Sequence, residues 1–202
     1  MCYVLSEVMP QSGTNRNFSF LIFAEGNMPI QIKTGDITKE SVCAIVNAAN
    51  SSCMGGGGVD GAIHRAGGPE ILEECKRIRR EELPDGLPTG QAVATTAGRM
   101  SARYVIHTVG PVWGRCGRPD RCDRQLADAY RNSLLLAHRL GCRSIAFPAI
   151  STGIYGFPAD RAAKIAWQTV QEYLREDPQM EVIFVFHSER SRRIFEDAIG
   201  EL

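Results

Sequence analysis

Two hydrophobic rhythms alternate along the chain from residue 30 onward. Short runs rich in Val, Ile and aromatic residues predict strands at 30–33, 44–47, 91–95, 104–108, 144–148 and 182–186. Between them, apolar positions three and four apart predict helices at 61–66, 70–82, 123–140, 159–176 and 189–199. Leu126, Tyr130, Leu134 and Ala137 fall on one face of the third helix, and Ala162, Ile165, Ala166, Val170 and Tyr173 on one face of the fourth. Several strands are apolar on both faces, the mark of a sheet covered by helices on both sides. The class is therefore α/β.

Residues 1–27 lack this regularity and read as an extension, either loosely attached or supplying one edge strand through 18–24; the regular domain covers 28–202. Loops are expected at 84–90, rich in Pro and Gly, and at 110–123. A length of 202 residues fits one compact core. The longest early apolar run, 18–24, is too short for a bilayer and no signal-peptide pattern precedes it. A cytoplasmic protein with no membrane partner is expected. Seven cysteines, an odd number without a Cys-x-x-Cys pair, read as reduced thiols packed like small hydrophobes.

Charge narrows the choice of ligand. Lys plus Arg (23) equals Asp plus Glu (23), so the formal net charge is zero. Extended RNA contact normally draws on a basic excess, so RNA is a disfavoured partner here. An anion must be held locally, by backbone N–H groups or helix ends.

In open α/β sheets, ligands sit beyond the carboxyl ends of strands, and three segments fit that place. The first runs from Asn47 and Asn50 through Gly55, Gly56, Gly57 and Gly58 to Val59, Asp60 and His64. Glycines let backbone N–H groups approach a phosphate, and the following helix start adds partial positive charge. A P-loop would need Gly-Lys-Ser/Thr where Val59-Asp60 stands, and the Gly56-x-Gly58-x-x-Gly61 match to a dinucleotide fingerprint is cheap within a glycine run. The second segment is Ser151, Thr152, Gly153, Ile154, Tyr155 and Gly156, and two such loops side by side would cradle a diphosphate. The third is Asp36-Ile37-Thr38, where Asp36 either caps a turn or accepts a hydrogen bond from an amino group such as adenine's. Asp60 likewise either caps a helix or acts in chemistry. His107, mid-strand among apolar residues, reads as a packed core histidine, and His138 and His187 have no obvious partners. The arginines 115, 118, 121 and 124, interleaved with Asp120 and Asp123, read as a solvated loop. No His/Cys/Asp cluster has metal spacing in sequence, so neither metal nor cofactor is expected.

Five ordered motifs together resemble the macrodomain family: Gly35-Asp-Ile-Thr38, Asn47-Ala-Ala-Asn50, Gly55 to Gly58 with the Val-Asp-Gly-Ala-Ile-His64 that follows, Tyr104-Val-Ile-His-Thr-Val-Gly-Pro111, and Ile150-Ser-Thr-Gly-Ile-Tyr-Gly156. Within it they look like the MacroD-type branch, which includes bacterial O-acetyl-ADP-ribose deacetylases. That resemblance covers residue 28 to the C-terminus and implies a three-layer αβα sandwich with a mixed, mostly parallel sheet of about six strands. It implies that ADP-ribose binds through Asp36 and Ile37, Asn47, the loop Gly55 to Val59, and the loop Ser151 to Gly156, with Asp36 at the adenine. Asn50, Asp60 and His64 would then stand at the distal ribose as catalytic groups. The implied partners are ADP-ribose, its O-acetyl ester and mono-ADP-ribosylated proteins.

The chemistry suits these groups, because ester hydrolysis needs a positioned water that a carboxylate orients and an amide fixes. Carboxylates are weak bases at neutral pH, so modest turnover is expected. The paired glutamates of poly-ADP-ribose glycohydrolases are missing, which argues against cleavage inside polymers. Two other classes remain open at this level: a reader that binds ADP-ribose without cleaving it, and a nucleotide- or RNA-binding regulator using the same cleft.

Overall fold

The computed structural model describes residues 20–22 and 30–202. Its strands are β1 (Phe20–Ile22), β2 (Ile30–Thr34), β3 (Ala44–Ala48), β4 (Ala92–Thr96), β5 (Tyr104–Thr108), β6 (Ser144–Phe147) and β7 (Glu181–Phe186). They form one sheet in the order β1-β2-β7-β6-β3-β5-β4. The five central strands are parallel, and β1 and β4 close the two edges antiparallel. The sheet thus has seven strands rather than about six. The seventh is β1, which arises from the stretch read as an extension and pairs Phe20 with Ile32. The remainder of that stretch, together with Cys2, lies outside the described residues.

Alternation along each strand sorts the core into two layers, because successive side chains point to opposite faces. Ala44 and Val46 of β3 join Leu126, Leu134, Trp167 and Val170, from α3 (Pro119–Arg139) and α4 (Ala159–Glu176). Phe195 of α5 (Glu189–Gly200) completes that layer. Ile45 instead joins Ile63, Ile71 and Cys75, from α1 (Gly58–Gly67) and α2 (Pro69–Glu81). This is the three-layer sandwich that the two-sided apolar strands imply.

Helix α3 begins at Pro119, four residues before the sequence-based start at 123. Proline at the first helical position has a suitable φ and no donor to leave unpaired. The arginine series therefore straddles a helix start. Arg118 and Arg124 lie 3.4 and 3.1 Å from Asp120, whereas Arg115 and Arg121 line a recess of about 250 Å³. His138 also has a partner, with Nδ1 2.8 Å from Asp177 Oδ2.

The reading of seven reduced thiols is corrected at four of them. Cys43 is bonded to Cys142 and Cys116 to Cys122, while Cys53 and Cys75 are buried thiols. The first pair is 99 residues apart in sequence, a spacing that suggests nothing. Strand pairing brings the two together: Cys43 immediately precedes β3, Cys142 precedes the adjacent β6, and the Cys43 N–H donates to Ser144 Oγ at 2.9 Å. The β3–β6 ladder above this tie holds two register pairs, Ala44 with Ile145 and Ile45 with Ala146, against five between β3 and β5. Among the described residues, no helix is long and apolar enough to cross a membrane.

Candidate active site

The strand order reverses between β3 and β6, so the loops leaving their carboxyl ends flank a crevice. In the loop after β3, Gly55 (φ +86°) and Gly58 (φ +58°) adopt the left-handed conformation that glycine allows. Gly61 permits a close approach from below, since a Cβ there would overlap the Gly56 carbonyl oxygen. In the loop after β6, Ser151 (φ +65°) and Gly156 (φ +65°) make the corresponding turns. Gly110 lies beneath that loop, where an added Cβ would overlap Ser151 Oγ. Among the described residues, the N–H groups of Gly55, Gly56 and Gly57, and of Gly153, Ile154 and Tyr155, have no acceptor. Helix α1 starts at the first loop without a side-chain cap. Unpaired donors at a helix start attract phosphate without any cationic side chain.

Asp60 does not cap that helix. It lies in the first turn beyond N-cap Gly57 and points inward, 4% exposed. Its Oδ1 accepts from Asn47 Nδ2 at 2.7 Å and stands 3.4 Å from His64 Nε2, one turn along the same helix. His64 Nε2 is buried and has no hydrogen-bond partner among the described residues. Asp60 Oδ2 and Asn50 Nδ2 converge on the flank of Gly56, where an added Cβ would meet them at 3.0 and 3.3 Å. Asn50 is itself fixed: Nδ2 donates to the Gly55 carbonyl at 3.0 Å and Oδ1 accepts from Ser52 N–H at 3.0 Å. Tyr155 lies close enough for Asp60 to affect it; burial raises its phenol pKa and the Asp60 charge adds to that. The structure therefore brings Asn47, Asn50, Asp60 and His64 together around one loop, with Tyr155 on the other. Val59 is half-buried beside Asp60, and Ile154 is 92% exposed at the tip of the second loop.

Asp36 is the N-cap of a 3-10 turn, Ile37–Lys39, accepting from the Thr38 N–H at 3.0 Å and from its hydroxyl at 2.7 Å. Those bonds hold its carboxyl below the ordinary range. Both readings of Asp36 survive, since capping uses Oδ1 and leaves Oδ2 outward, 4.0 Å from Lys39 Nζ. Ile37 is buried beneath it. The Gly35 N–H donates to the Phe186 carbonyl at 2.8 Å, which sets Asp36 beside the end of β7. There a cleft of about 400 Å³ is lined by Thr152, Phe184, Phe186, His187, Ser188 and Arg190. Sequence reasoning missed these β7–α5 residues. The strand-end rule that found the other loops, applied to 182–186, points at His187 and Ser188.

The sequence also hid a cluster that the fold assembles. His64, Cys75 and His107 bring one ligand-type atom each within 4.8 Å of one another, correcting the inference from spacing that no such group exists. Burial pushes the Cys75 thiol up to about 12, and His107 Nε2 is bonded to Thr95 Oγ1 at 2.9 Å. A cation would have to displace the Cys75 thiol proton and the Thr95 contact of His107.

Two donor-rich loops at a strand-order reversal, with one buried carboxylate beside them, define an α/β domain with a place for an anion. The Macro domain family pattern matches residues 46–166, and the chain belongs to that family. A macro domain-containing protein of Streptomyces griseus is 56% identical over 171 residues, covering 85% of this chain and 94% of that protein. The O-acetyl-ADP-ribose deacetylase of Escherichia fergusonii is 55% identical over 167 residues, covering 82% and 92%. Among solved structures, the Oceanobacillus iheyensis macrodomain with ADP superposes with TM-score 0.86 at 42% identity, covering 93% of this chain and 97% of that one. The Trypanosoma brucei macrodomain in complex with ADP-ribose gives 0.75 at 39%, covering 85% and 69%.

Proposed function

We propose that this protein is a hydrolase that binds ADP-ribose in the crevice and cleaves esters at its distal ribose, either O-acetyl-ADP-ribose or mono-ADP-ribose on acidic side chains. The observation that carries this reading is the paired arrangement at Gly56. One oxygen of Asp60 is pinned by Asn47, while the other is left beside the Asn50 amide. The adenine would lie toward Asp36 and Ile37, and the diphosphate between the loops Gly55 to Val59 and Ser151 to Gly156. Asp60 Oδ2 would orient a water and take its proton as the water oxygen attacks the ester carbonyl carbon. The proton would then pass to the departing ribose oxygen, releasing ADP-ribose and the carboxylic acid. Asn50 would fix the ribose or the water, and His64 would bound the same space. Free ADP-ribose, its esters and mono-ADP-ribosylated proteins are the partners this reading requires. A cytoplasmic setting belongs to this reading as well.

Single-turnover assays with O-acetyl-ADP-ribose, scored by acetate release, test the proposal. Asp60→Ala is expected to lower the rate on the order of 10²- to 10⁴-fold while calorimetry still detects ADP-ribose binding. Full activity in that variant removes the mechanism, and binding by the wild-type protein without acetate release makes it a reader instead.

A further inference from the structure

Asp60 is one end of a buried line of hydrogen bonds that runs across the sheet. Asn47 and His107 are register partners on adjacent strands β3 and β5, and both are fully buried. Asn47 Nδ2 lies 2.7 Å from Asp60 Oδ1 and 3.1 Å from His107 Nδ1. Beyond the ring, His107 Nε2 lies 2.9 Å from Thr95 Oγ1, which donates to the Thr96 carbonyl at 3.0 Å.

The Asp60 carboxylate only accepts, and that orders the protons from its end of the line. With Asn47 presenting Nδ2 to both neighbours, His107 carries its proton on Nε2, facing Thr95 Oγ1 and, at 3.8 Å, Cys75 Sγ. His107 Nδ1 is then a bare lone pair that takes one amide proton of Asn47. The other amide proton goes to the Asp60 carboxylate. Were the Asn47 amide to turn over, its oxygen would face the Asp60 carboxylate, an acceptor–acceptor clash that no change of tautomer at His107 relieves. Asn47 Oδ1, the atom that faces away, has no partner among the described residues. The amide orientation is therefore held from the Nδ2 side alone.

We infer that His107 is a positioning residue: its Nδ1 lone pair locks the Asn47 amide, which in turn holds one oxygen of Asp60 and leaves the other aimed at the substrate. The inference rests on the hydrolytic reading of Asp60 given above. It also separates His107 from a merely packed core histidine, because packing depends on ring volume and positioning depends on one nitrogen.

Two substitutions divide those roles. In His107→Asn the amide oxygen can stand where Nδ1 stood, at the cost of volume and of the bond to Thr95. In His107→Gln the volume is nearer and the amide reaches toward Thr95, but the acceptor at Nδ1 is lost. Single-turnover rates should fall about 10- to 100-fold in His107→Gln, the scale of a small misplacement of a catalytic group, with ADP-ribose affinity unchanged. His107→Asn should recover most of the rate. Equal rates in the two variants, or full activity in His107→Gln, overturn the inference. Nitrogen-15 spectra of the wild-type protein provide a check that does not depend on the variants folding: Nδ1 unprotonated and Nε2 protonated is expected, and the opposite tautomer overturns it. If Asp60→Ala retains turnover, the hydrolytic reading itself has failed. If Asp60→Ala is inactive and His107→Gln is not, only the role of His107 falls.

Discussion

The loop after β3 and the loop after β6 leave neighbouring parallel strands and share a construction. Each holds one non-glycine residue at positive φ, Cys53 and Ser151, and each turns unpaired N–H groups outward. They differ in what stands behind them. The first is backed by buried polar groups, Asp60, Asn47, His107 and Thr95. The second is backed by apolar packing, with the Trp113 ring 4.7 Å from Phe157 and the Trp113 backbone N–H donating to the Tyr155 carbonyl at 2.8 Å. Similar donor-rich turns thus serve different ends. Polar backing supplies titratable groups, whose state depends on pH, whereas apolar backing supplies shape and is indifferent to it.

Tightening the floor under each loop tests that division most severely. Gly110→Ala would drive a methyl group into Ser151 and Ile150, and overpacking of this kind costs about 1–3 kcal/mol. Gly61→Ala would strike the Gly56 carbonyl, a backbone atom that gives way only if the loop moves, and the roughly 1 kcal/mol of helix propensity that alanine recovers offsets part of that cost. Urea unfolding should show a loss in both variants. Gly110→Ala should mainly weaken ADP-ribose binding, and Gly61→Ala should mainly slow turnover. The reverse pattern would erase the distinction between the loops.

Acid separates them next. Burial, with the nearby His64 charge adding to it, holds His107 down at about 3 against an ordinary 6.5. The unfolded chain therefore binds a proton that the folded chain refuses, and stability falls as pH drops from 6.5 toward 3. Between pH 7 and 5 this group alone should cost about 2 kcal/mol. Denaturant titrations at the two pH values measure the loss, and His107→Asn should remove that part of it. An unchanged pH dependence in the variant would sink the assignment.

The smallest effect is expected at the tip of the second loop. Ile154 touches little, so Ile154→Ala should change stability by less than about 0.5 kcal/mol. If its side chain covers bound phosphates, the same change should weaken ADP-ribose binding about fivefold, the worth of a few tens of Å² of apolar cover. Unaltered affinity would leave the second loop with backbone contacts alone.

Much of this was legible because pattern and structure share a period. Strand 104–108 and helix 159–176 appear with their sequence-based bounds, since their apolar positions are uninterrupted. The start of α3 was obscured by the alternating Arg and Asp residues, whose charges mask the first turn. Asp60 was ambiguous because a cap and a catalytic carboxylate occupy the same stretch of sequence, and only its inward direction separates them. Asn47 and His107 are 60 residues apart, so their pairing depends on which strands become neighbours. The same applies to Cys43 with Cys142. Local chemistry can be read along the chain, but partnership across the sheet cannot.

The two rungs shared by β3 and β6, with a sulfur bridge just below them, make these strands a clothes-peg. Its jaws are the donor-rich turns at one end, its pivot is a pair of rungs, and its clip is a bond that thiol chemistry can open. An oxidised clip fixes the angle at the pivot without touching anything in the jaws. A reduced one leaves the pivot to its two rungs and the surrounding helices.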